Sequence, residues 1–559
     1  MPTSFSVLDM VHRIPLTART VLFAGCGNGD LARIYRAMNP KASLLAIEPD
    51  PVAAEQAARH CDQAVNASVQ ADPLPFDLPD GIDCIVYGQT HDLNDPGGVL
   101  ARHAASLSAG GIVLLAVPNR EYWRLTEQLL RGLPEPGGAD LESAGPGQMG
   151  HTQASAAAAF ARIGLSVRDM VALDPDPEAA ESFREALSPA LSALDIDQAD
   201  FASRSSASHW LCRAAAYPVK PLIVAGNIRK QIGGVYDVRI VHPFQALAAE
   251  ADVRASVVDA LEVKPPEDDS PRIFIIHRPS LFGPPGLDTL KKMSAAGYLA
   301  VSEFDDHPDH FVMMQLGGDI SFIGVHAIQT STPAMAAALR QYNPEIAIFP
   351  NAIMSLPEIG NFADPSSLTV FFGALNRQAD WQPLMPTLNK VAWMAGSRLK
   401  FQVVHDRGFF DALETEHKTF TPISDYQAYL NILGGCEISF MPLGDTVFNR
   451  AKSDLKFIEA AACRTAALAS AVVYGDSIDD GRTGLLFRDP MEFQANLLRL
   501  IAMPELAQSL GDAARSYVAR ERMLAYQMAA RTNWYRSLWN RREELERART
   551  IRLRQRLAA

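Results

Sequence analysis

Short apolar runs alternate along the chain with polar or glycine-rich turns and with longer stretches of helical spacing. The runs that we predict as strands cover residues 21–25, 43–48, 83–88, 111–118, 221–226, 272–277, 298–304, 346–351, 368–373, 400–405 and 437–443. Continuous apolar runs of this length are typical of strands that are buried on both faces of a parallel sheet, with helices between them. The pattern therefore predicts an α/β fold class.

Two interruptions divide the predicted strands into three series, so we expect three Rossmann-like units in tandem. The first interruption is the polar stretch 200–208 with HWLCRAAAYPVKP after it, and the second is 355–367. The predicted units are 1–216, 217–355 and 356–540, with a basic tail at 541–559. For this arginine-rich tail we expect a solvated terminal helix rather than contact with a membrane surface or a partner.

The composition of the 559 residues, 48% apolar and 21% charged, is that of a globular protein and excludes global disorder. The formal net charge of −13 argues against nucleic-acid binding, because that function needs a basic surface. No apolar run approaches the ~18 residues of a transmembrane helix, and the N-terminus lacks the pattern of a secretion signal. The six cysteines are scattered without a CxxC pair, so we expect reduced thiols and a cytoplasmic protein.

The first series contains a glycine-rich turn between its first predicted strand and the helix that follows. GCGNGD supplies Gly25, Gly27 and Gly29, which let a ligand approach the backbone and the helix N-terminus. Glu48 ends the next predicted strand about twenty residues later, where a carboxylate can accept the protons of both ribose hydroxyls. This pairing fits either a dinucleotide or an adenosyl ligand.

Further motifs in the same series distinguish between these two ligands. Asp72 precedes a Pro-Leu-Pro-Phe stretch, DCIVYGQTHDLNDPGGVL and SLSAGGIVLLAVPN follow it, and HTQASAAAAFARIGLSV comes later. Over residues 15–216 these motifs resemble class I S-adenosylmethionine-dependent methyltransferases. The resemblance implies that Gly25, Gly27 and Glu48 bind S-adenosylmethionine and that Asp72 lies beside the adenine.

The base that would deprotonate a methyl acceptor is a separate question. His91 lies in the sequence QTHD, where the family often has a Glu-His pair, and a histidine there could act as a general base. A packing role fits His91 equally well, and His151 has the same two interpretations. No group of His, Asp and Glu shows metal-ligand spacing, so no metal is expected.

The second series opens with PLIVAGNIRKQIGGVYDVRIV, in which Gly233 and Gly234 lie between a predicted strand and a helix carrying Arg239. A turn of this kind can approach a phosphate. It resembles the first glycine loop of glycosyltransferases with the two-Rossmann (GT-B) architecture, which approaches donor and acceptor. The later segment 324–353 resembles the family's approach to its interdomain linker, where a strand ends in Pro-Asn.

Acidic and imidazole side chains follow another predicted strand of this series. Asp305, Asp306, His307 and His310 come directly after it, where ligand crevices form in α/β sheets. Because two-Rossmann transferases generally need no metal, we expect these groups to contact acceptor hydroxyls, with Asp306 as a candidate catalytic residue. A solvated acidic loop is the alternative.

The third series places charged residues at a spacing that suits a nucleotide diphosphate. Gly373 ends a predicted strand, and Arg377 follows four residues later. Lys452, Lys456 and Glu459 have offsets of four and three, so they share one face of a single predicted helix. Such a face could offer ammonium groups to the diphosphate and a carboxylate to the ribose. An ordinary helix salt bridge is the alternative.

This segment resembles the donor site of GT-B enzymes, and of their retaining families in particular. Glu459 matches the second glutamate of the Glu-x7-Glu motif, whereas Ala451 replaces the first, which puts the first glutamate's sugar contact in doubt. The residues to which the likeness assigns substrate binding are Gly233, Gly234, Gly373, Arg377, Lys452, Lys456 and Glu459.

The two likenesses together predict a bifunctional enzyme, in which a glycosyltransferase using a nucleotide-sugar donor is joined to an S-adenosylmethionine-dependent methyltransferase. The expected acceptor is a glycan or glycoprotein, in surface glycan or protein glycosylation. The alternative is a non-catalytic or single-activity scaffold, in which one Rossmann half only binds nucleotide and organises a glycosylation complex. The missing glutamate favours the scaffold, while the glycine loops and ribose acids of both halves favour the enzyme.

Overall fold

A computed structural model of the chain describes residues 7–88, 96–133, 151–173, 175–216, 220–227, 234–258, 268–310, 314, 317–360 and 366–558. The chain divides into two compact units. The first comprises Met1–Lys220 with Ala248–Val253, and the second comprises Pro221–Leu247 with Arg254–Ala559.

The first unit is built on a seven-stranded sheet with the order β3-β2-β1-β4-β5-β7-β6. Its strands are β1 Thr20–Ala24, β2 Ser43–Glu48, β3 Gln63–Asn66, β4 Ile82–Tyr87, β5 Leu107–Pro118, β6 Ser166–Leu173 and β7 His209–Ala215. Its helices are α1 Val7–Val11, α2 Asp30–Met38, α3 Pro51–Ala57, α4 Pro96–Ala104, α5 Trp123–Leu130, α6 Gln153–Arg162, α7 Pro177–Ala193 and α8 Gln198–Ser205.

Strand β7 lies inside this sheet and not in an interruption, so the prediction for HWLCRAA is wrong. The strand pairs antiparallel with both β5 and β6, with Trp210 opposite Val117 and Ala172. Both faces of β7 are covered from Trp210 to Ala215. An apolar run without alternation is what a central strand requires, and the polar residues before it belong to α8.

The second sheet has the order β13-β12-β11-β10-β8-β9. Its strands are β8 Leu222–Asn227, β9 Val253–Val258, β10 Arg272–His277, β11 Leu299–Glu303, β12 Ala327–Thr330 and β13 Ile346–Ile348. The helices of this part are α9 His242–Ala249, α10 Gly283–Ala295, α11 Ile320–Ile323 and α12 Pro333–Leu339, with a π-helical turn at Asp237–Val241.

The third sheet has the order β16-β15-β14-β17-β18-β19, with every neighbouring pair parallel. Its strands are β14 Leu368–Gly373, β15 Leu399–Val404, β16 Lys418–Thr421, β17 Ile438–Met441, β18 Ala466–Ser470 and β19 Leu485–Phe487. The remaining helices are α13 Gln378–Trp381, α14 Met385–Ala395, α15 Arg407–Ala412, α16 Tyr426–Gly434, α17 Val447–Arg450, α18 Leu455–Ala462, α19 Ala471–Tyr474, α20 Pro490–Ala502, α21 Pro504–Glu521, α22 Ala525–Asn540 and α23 Arg542–Ala558.

These three sheets confirm the predicted α/β class of three Rossmann-like units. The third sheet has the strand order 3-2-1-4-5-6 of a doubly wound nucleotide-binding fold. In such a sheet the order reverses between the first and fourth strands, here β14 and β17, and a crevice opens beyond their carboxyl ends. The fold therefore places Gly373 at the edge where a ligand is expected.

The tail is helical as predicted, but one face of it is not solvated. In α23, Arg549 and Arg552 donate to the carbonyl oxygens of Gly324 and Val325, at 3.4 and 2.8 Å, just beyond the end of α11. Guanidinium groups are stabilised there because the last carbonyls of a helix have no partner within the helix. The tail therefore covers the second sheet's helices. None of the helices in the described ranges combines the length and apolar content of a membrane crossing.

Candidate functional site

In the first unit, the predicted glycine-rich turn joins β1 to α2. Gly25, Gly27 and Gly29 have φ angles of 69°, 57° and 84°, a region that side chains with a Cβ disfavour. Gly25 N–H donates to the carbonyl oxygen of Ile47 at 2.9 Å, which ties the turn to the end of β2. The turn therefore lies beside the end of β2, where Glu48, the predicted ribose acid, is located.

Glu48 ends β2, and both of its carboxylate oxygens accept backbone hydrogen bonds, one of them from this turn. Its Oε2 accepts from Gly27 N–H at 2.7 Å, and its Oε1 accepts from Asp50 N–H at 3.1 Å. Each carboxylate oxygen can accept a second hydrogen bond, so the group is oriented and still able to bind hydroxyls. The structure thus brings Gly25, Gly27 and Glu48 together.

The other predicted groups of the first unit are more scattered. Asp72 lies between β3 and β4 with 62% of its side chain exposed, and its Oδ2 is 3.6 Å from Arg102 Nε. His151 Nδ1 lies 3.2 Å from the hydroxyl of Ser155, and partial burial lowers the pKa of this imidazole. His91 lies outside the described residues.

In the second unit, a cleft of about 260 Å³ is lined by residues from the carboxyl edges of both its sheets. Gly373 lines it at the end of β14, where a Cβ atom would come within 2.6 Å of the Phe371 ring and 2.8 Å of the Tyr429 ring. Gly234 lines it from the side of the second sheet, and a Cβ there would lie 2.3 Å from Tyr426. Its neighbour Gly233 lies outside the described residues.

Arg377 lies directly before α13 and is held in the cleft by two side chains. Its Nη1 donates to Asn449 Oδ1 at 3.0 Å and to Asp380 Oδ2 at 3.3 Å. Asn449 is itself fixed because its amide donates to Asp380 Oδ1 at 2.7 Å. This arrangement presents a guanidinium group in a set orientation.

The prediction that Lys452, Lys456 and Glu459 share one helix is wrong for Lys452. Lys452 lies in a break between α17 and α18, while Lys456 and Glu459 share a face of α18 with Nζ and Oε2 3.9 Å apart. Asp454, which directly precedes α18, accepts from Arg522 and from Ser477, the latter at 2.6 Å.

Glu459 is the most buried acid of the cleft, with 2% of its side chain exposed. Its Oε2 has no hydrogen-bond partner among the described residues. Burial raises the pKa of Glu459, opposed by the charge of Lys456. Lys456 donates to the Tyr429 hydroxyl at 2.8 Å, and desolvation lowers the pKa of its ammonium group.

The carboxyl edge of the second sheet contributes Asp305 and Asp306, directly beyond β11. Arg278 binds both carboxylate oxygens of Asp305, at 2.6 and 2.9 Å, and overcomes the burial that would otherwise raise the pKa, holding it at about 2. Asp306 Oδ1 instead accepts from Lys452 Nζ at 2.6 Å. Arg239, on the helical turn after Gly234, is buried and forms an ion pair with Glu303 at 2.7 Å.

Two further residues at this edge, His277 and Arg278, were not predicted as functional candidates from the sequence. Arg278 lines the cleft with a left-handed φ of 44°. His277 before it is 2% exposed, and neither ring nitrogen has a hydrogen-bond partner among the described residues. Desolvation lowers the pKa of His277 to about 4. The sequence did contain an indication of these two residues, because His277 and Arg278 come at the end of an apolar run, as Asp305 and Asp306 do.

Within the described ranges, no three His, Cys, Asp or Glu side chains are grouped so that they could hold a metal ion. All six cysteines are free thiols.

No protein-family model matches the chain, and a comparison with curated proteins found no match. Solved structures resemble about half of it. TarM of S. aureus, in a complex with fondaparinux, α-GlcNAc-glycerol and UDP, has a TM-score of 0.37 and 12% identity over 47% of this chain and 55% of that one. This chain therefore spans about half the length of TarM.

Two further solved structures align over their whole length. HepE of Anabaena, in complex with UDP and glucose, has a TM-score of 0.41 and 11% identity over 56% of this chain and 99% of that one. Sucrose-phosphate synthase of Thermosynechococcus elongatus has a TM-score of 0.41 and 14% identity over 57% and 100%.

Proposed function

We propose that the second unit is a glycosyltransferase of the GT-B type that binds a nucleotide-diphosphate sugar in its cleft. The observation that carries the proposal is the buried Oε2 of Glu459, which has no hydrogen-bond donor among the described residues. An unsatisfied buried polar atom costs about 1–3 kcal/mol, and a ribose hydroxyl that donates to it would remove this cost.

The cations around Glu459 suit the rest of such a donor. Arg377, Lys452 and Lys456 all line the same cleft. When the bond between the sugar and the diphosphate breaks, negative charge develops on the leaving oxygen, and cations already in place stabilise it. Gly373 lets β14 end close against the rings of Phe371 and Tyr429, because a Cβ atom there would clash with both. We expect no metal to be needed.

The acceptor hydroxyl would meet the edge of the second sheet. Asp305 is bound by Arg278 and has 10% of its side chain exposed, whereas 34% of the Asp306 side chain is exposed. A carboxylate that remains accessible can accept the proton of an attacking hydroxyl. We therefore infer that Asp306, and not Asp305, is the catalytic residue on the acceptor side. A glycan or glycoprotein supplies hydroxyls of this kind.

Nucleotide binding by the full-length chain tests this proposal. We expect calorimetry to find binding of one of UDP, GDP, ADP, CDP and dTDP, and mass spectrometry to detect slow hydrolysis of the corresponding sugar nucleotide. Glu459→Gln should weaken that binding by ~1–3 kcal/mol, because a charge-assisted hydrogen bond is lost. Glu414→Gln removes the same charge from an exposed position and should leave the affinity unchanged. Absence of binding for every nucleotide would refute the proposal.

We also propose that the first unit is an S-adenosylmethionine-dependent methyltransferase. Its support is the carboxylate of Glu48, which is oriented by Gly27 at the open edge beside β1. The strand order begins 3-2-1-4-5 as in nucleotide-binding sheets, and the antiparallel β7 between β5 and β6 departs from the uniformly parallel dinucleotide-binding arrangement. This departure favours the adenosyl ligand over a dinucleotide.

Titration of S-adenosylmethionine and of NAD into the full-length chain distinguishes these ligands. We expect S-adenosylmethionine to bind and NAD not to bind. Glu48→Gln should weaken the binding of S-adenosylmethionine by ~1–3 kcal/mol, since the ribose loses a charged acceptor. Glu55→Gln, at an exposed position of α3, is the matched control. An unchanged affinity in Glu48→Gln would remove the assignment.

A scaffold in which one half binds its nucleotide without turning it over remains the second candidate. It is favoured by Ala451, which is 6% exposed and offers no side-chain acceptor where the related enzymes have a glutamate. Binding of both ligands without any methyl or sugar transfer to glycan or glycoprotein acceptors would establish it. We propose a cytoplasmic location and a role in surface glycan or protein glycosylation for either case.

A further inference from the structure

Three of the cations that line the cleft, Arg377, Lys452 and Lys456, differ in where their anionic partners come from. Arg377 is paired with Asp380, and Lys456 lies beside Glu459, so both partners belong to the part of the chain around the third sheet. Lys452 is paired with Asp306, which lies 146 residues earlier and at the edge of the second sheet. Of these three cations, Lys452 is the one whose carboxylate partner among the described residues comes from the edge of the second sheet.

Asp306 makes its shorter contact with Lys452 and a longer ion pair with Arg278, whose hydrogen bonds go to Asp305. Arg278 binds both oxygens of Asp305 at 2.6 and 2.9 Å, and its nearest atom is 3.5 Å from Asp306. Lys452 Nζ is 2.6 Å from Asp306 Oδ1 and 4.1 Å from the centre of the Phe448 ring. Both charged groups are partly exposed, at 22% and 34%, and Lys452 lines the cleft, so a ligand that enters the cleft can reach its ammonium group.

A diphosphate cannot join this pair without a conflict of charge. Its oxygens need the ammonium group of Lys452, and they would then lie close to the carboxylate of Asp306. Like charges at such a separation repel strongly in a partly buried site, where water screens them poorly. The ammonium group therefore has two anionic ligands that compete for it.

We propose that Asp306 holds Lys452 only in the absence of donor, and that the diphosphate displaces Asp306 and frees its carboxylate for the acceptor. This inference rests on the proposed glycosyltransferase function and adds an order of events to it. The group that receives the acceptor's proton becomes available only after the donor is bound, so donor binding precedes acceptor binding. The exchange also keeps Asp306 from activating a hydroxyl in an empty cleft.

The test is calorimetric titration of the full-length protein with UDP, GDP, ADP, CDP and dTDP in turn. Asp306→Asn removes the competing charge at nearly constant shape and should bind the diphosphate roughly three- to tenfold more tightly. Asp306→Glu keeps the charge and should remain within about twofold of wild type. Asp309→Asn removes a charge from an exposed position of the same loop and should also remain within about twofold.

A double-mutant cycle separates displacement from general repulsion. In a Lys452→Met background, Asp306→Asn should change the affinity by less than about twofold, because the pair no longer exists. An equal gain in both backgrounds, or no gain in Asp306→Asn alone, overturns the displacement. If wild type binds none of the nucleotides, the proposed function itself fails, and this result differs from binding that is insensitive to Asp306.

Discussion

Lys456 is a cation of the cleft whose pKa is shifted by its surroundings. Its ammonium group lies 4.6 Å from the centre of the Tyr429 ring and donates to that ring's hydroxyl. Desolvation lowers the pKa of Lys456, while Glu459 raises it and Arg377 lowers it. A diphosphate near Lys456 would favour the charged form and therefore raise this pKa.

Replacement of Lys456 tests its role directly. Lys456→Ala removes a partner of the diphosphate and should lower the rate of sugar transfer at least tenfold, which corresponds to ~1.4 kcal/mol. Methyl transfer should stay near wild type, because the residue belongs to the other unit. Lys390→Ala, at an exposed position of α14, is the control. Steady-state kinetics with the donor that binds provides the measurement, and full sugar transfer in Lys456→Ala would contradict the assignment.

The sequence indicated the neighbours of these residues within one element, but not their partners from other elements. The three-residue spacing of Lys456 and Glu459 placed them on one face because α18 is regular from Leu455 to Ala462. Lys452 lies outside this helix, in a segment where Asp454 accepts from Arg522, a residue much later in the chain. Its pairing with Asp306 likewise depends on tertiary packing, which has no local signal.

At the scale of elements, long apolar runs were easier to predict than short or alanine-rich strands. β2, β10 and β14 coincide with the predicted runs, because each has six residues and is buried along almost its whole length. β18, with the sequence AALAS, was not predicted, since alanine does not favour strands and burial between β17 and β19 decides its conformation. Helix α23 was predicted, but its contacts were not.

The docked face of α23 predicts an asymmetry between its arginines. Arg549 is 7% exposed, contacts Glu546 at 2.6 Å and donates to Gly324, whereas Arg547 is exposed. Arg549→Ala should therefore destabilise the second unit by ~1–3 kcal/mol, the cost of lost charged hydrogen bonds at buried acceptors. Arg547→Ala should change its stability by less than about 0.5 kcal/mol. Thermal unfolding of both variants provides the comparison, and equal effects would show that the contacts of Arg549 contribute little.

At the scale of the whole molecule, one buried group in each unit should respond to pH in the direction opposite to the other. Glu250, which belongs to the first unit, accepts from Thr17 N–H at 3.3 Å, and burial raises the pKa of its carboxyl group to about 7. Between its ordinary pKa of 4.5 and this value, the folded state binds more protons than the unfolded state. The contribution of Glu250 to the stability of the first unit therefore falls as the pH rises through this window.

His277 has the reverse effect in the second unit. Burial lowers the pKa of His277 from 6.5 to about 4, so between these values the unfolded state binds more protons than the folded state. The contribution of His277 to the stability of the second unit then falls as the pH drops from about 6.5 towards 4. Each of these groups contributes on the order of 3 kcal/mol at the unfavourable end of its window, since one pKa unit corresponds to ~1.4 kcal/mol.

Calorimetric unfolding between pH 4.5 and 7.5 should show this opposition. We expect two transitions in the full-length protein, because multidomain chains rarely unfold as one step. Glu250→Gln should flatten the pH dependence of one transition, and His277→Gln should flatten that of the other. If either variant alters both transitions equally, the two units unfold as one cooperative body.

The return of α22 and α23 to the second sheet has a consequence for synthesis of the protein on the ribosome. Tyr535 donates to Gln329 of β12 at 2.8 Å, and Arg541 binds Glu345, just before β13, at 2.7 Å. Gln329 and Glu345 can therefore form these contacts only after roughly 200 further residues have been synthesised. At about 5–20 residues per second, translation needs roughly 10–40 seconds to supply them. During that interval the nascent second sheet has one side uncovered while the third sheet is being made. Chaperones that shield unfinished sheets therefore have a defined period in which to act on this chain.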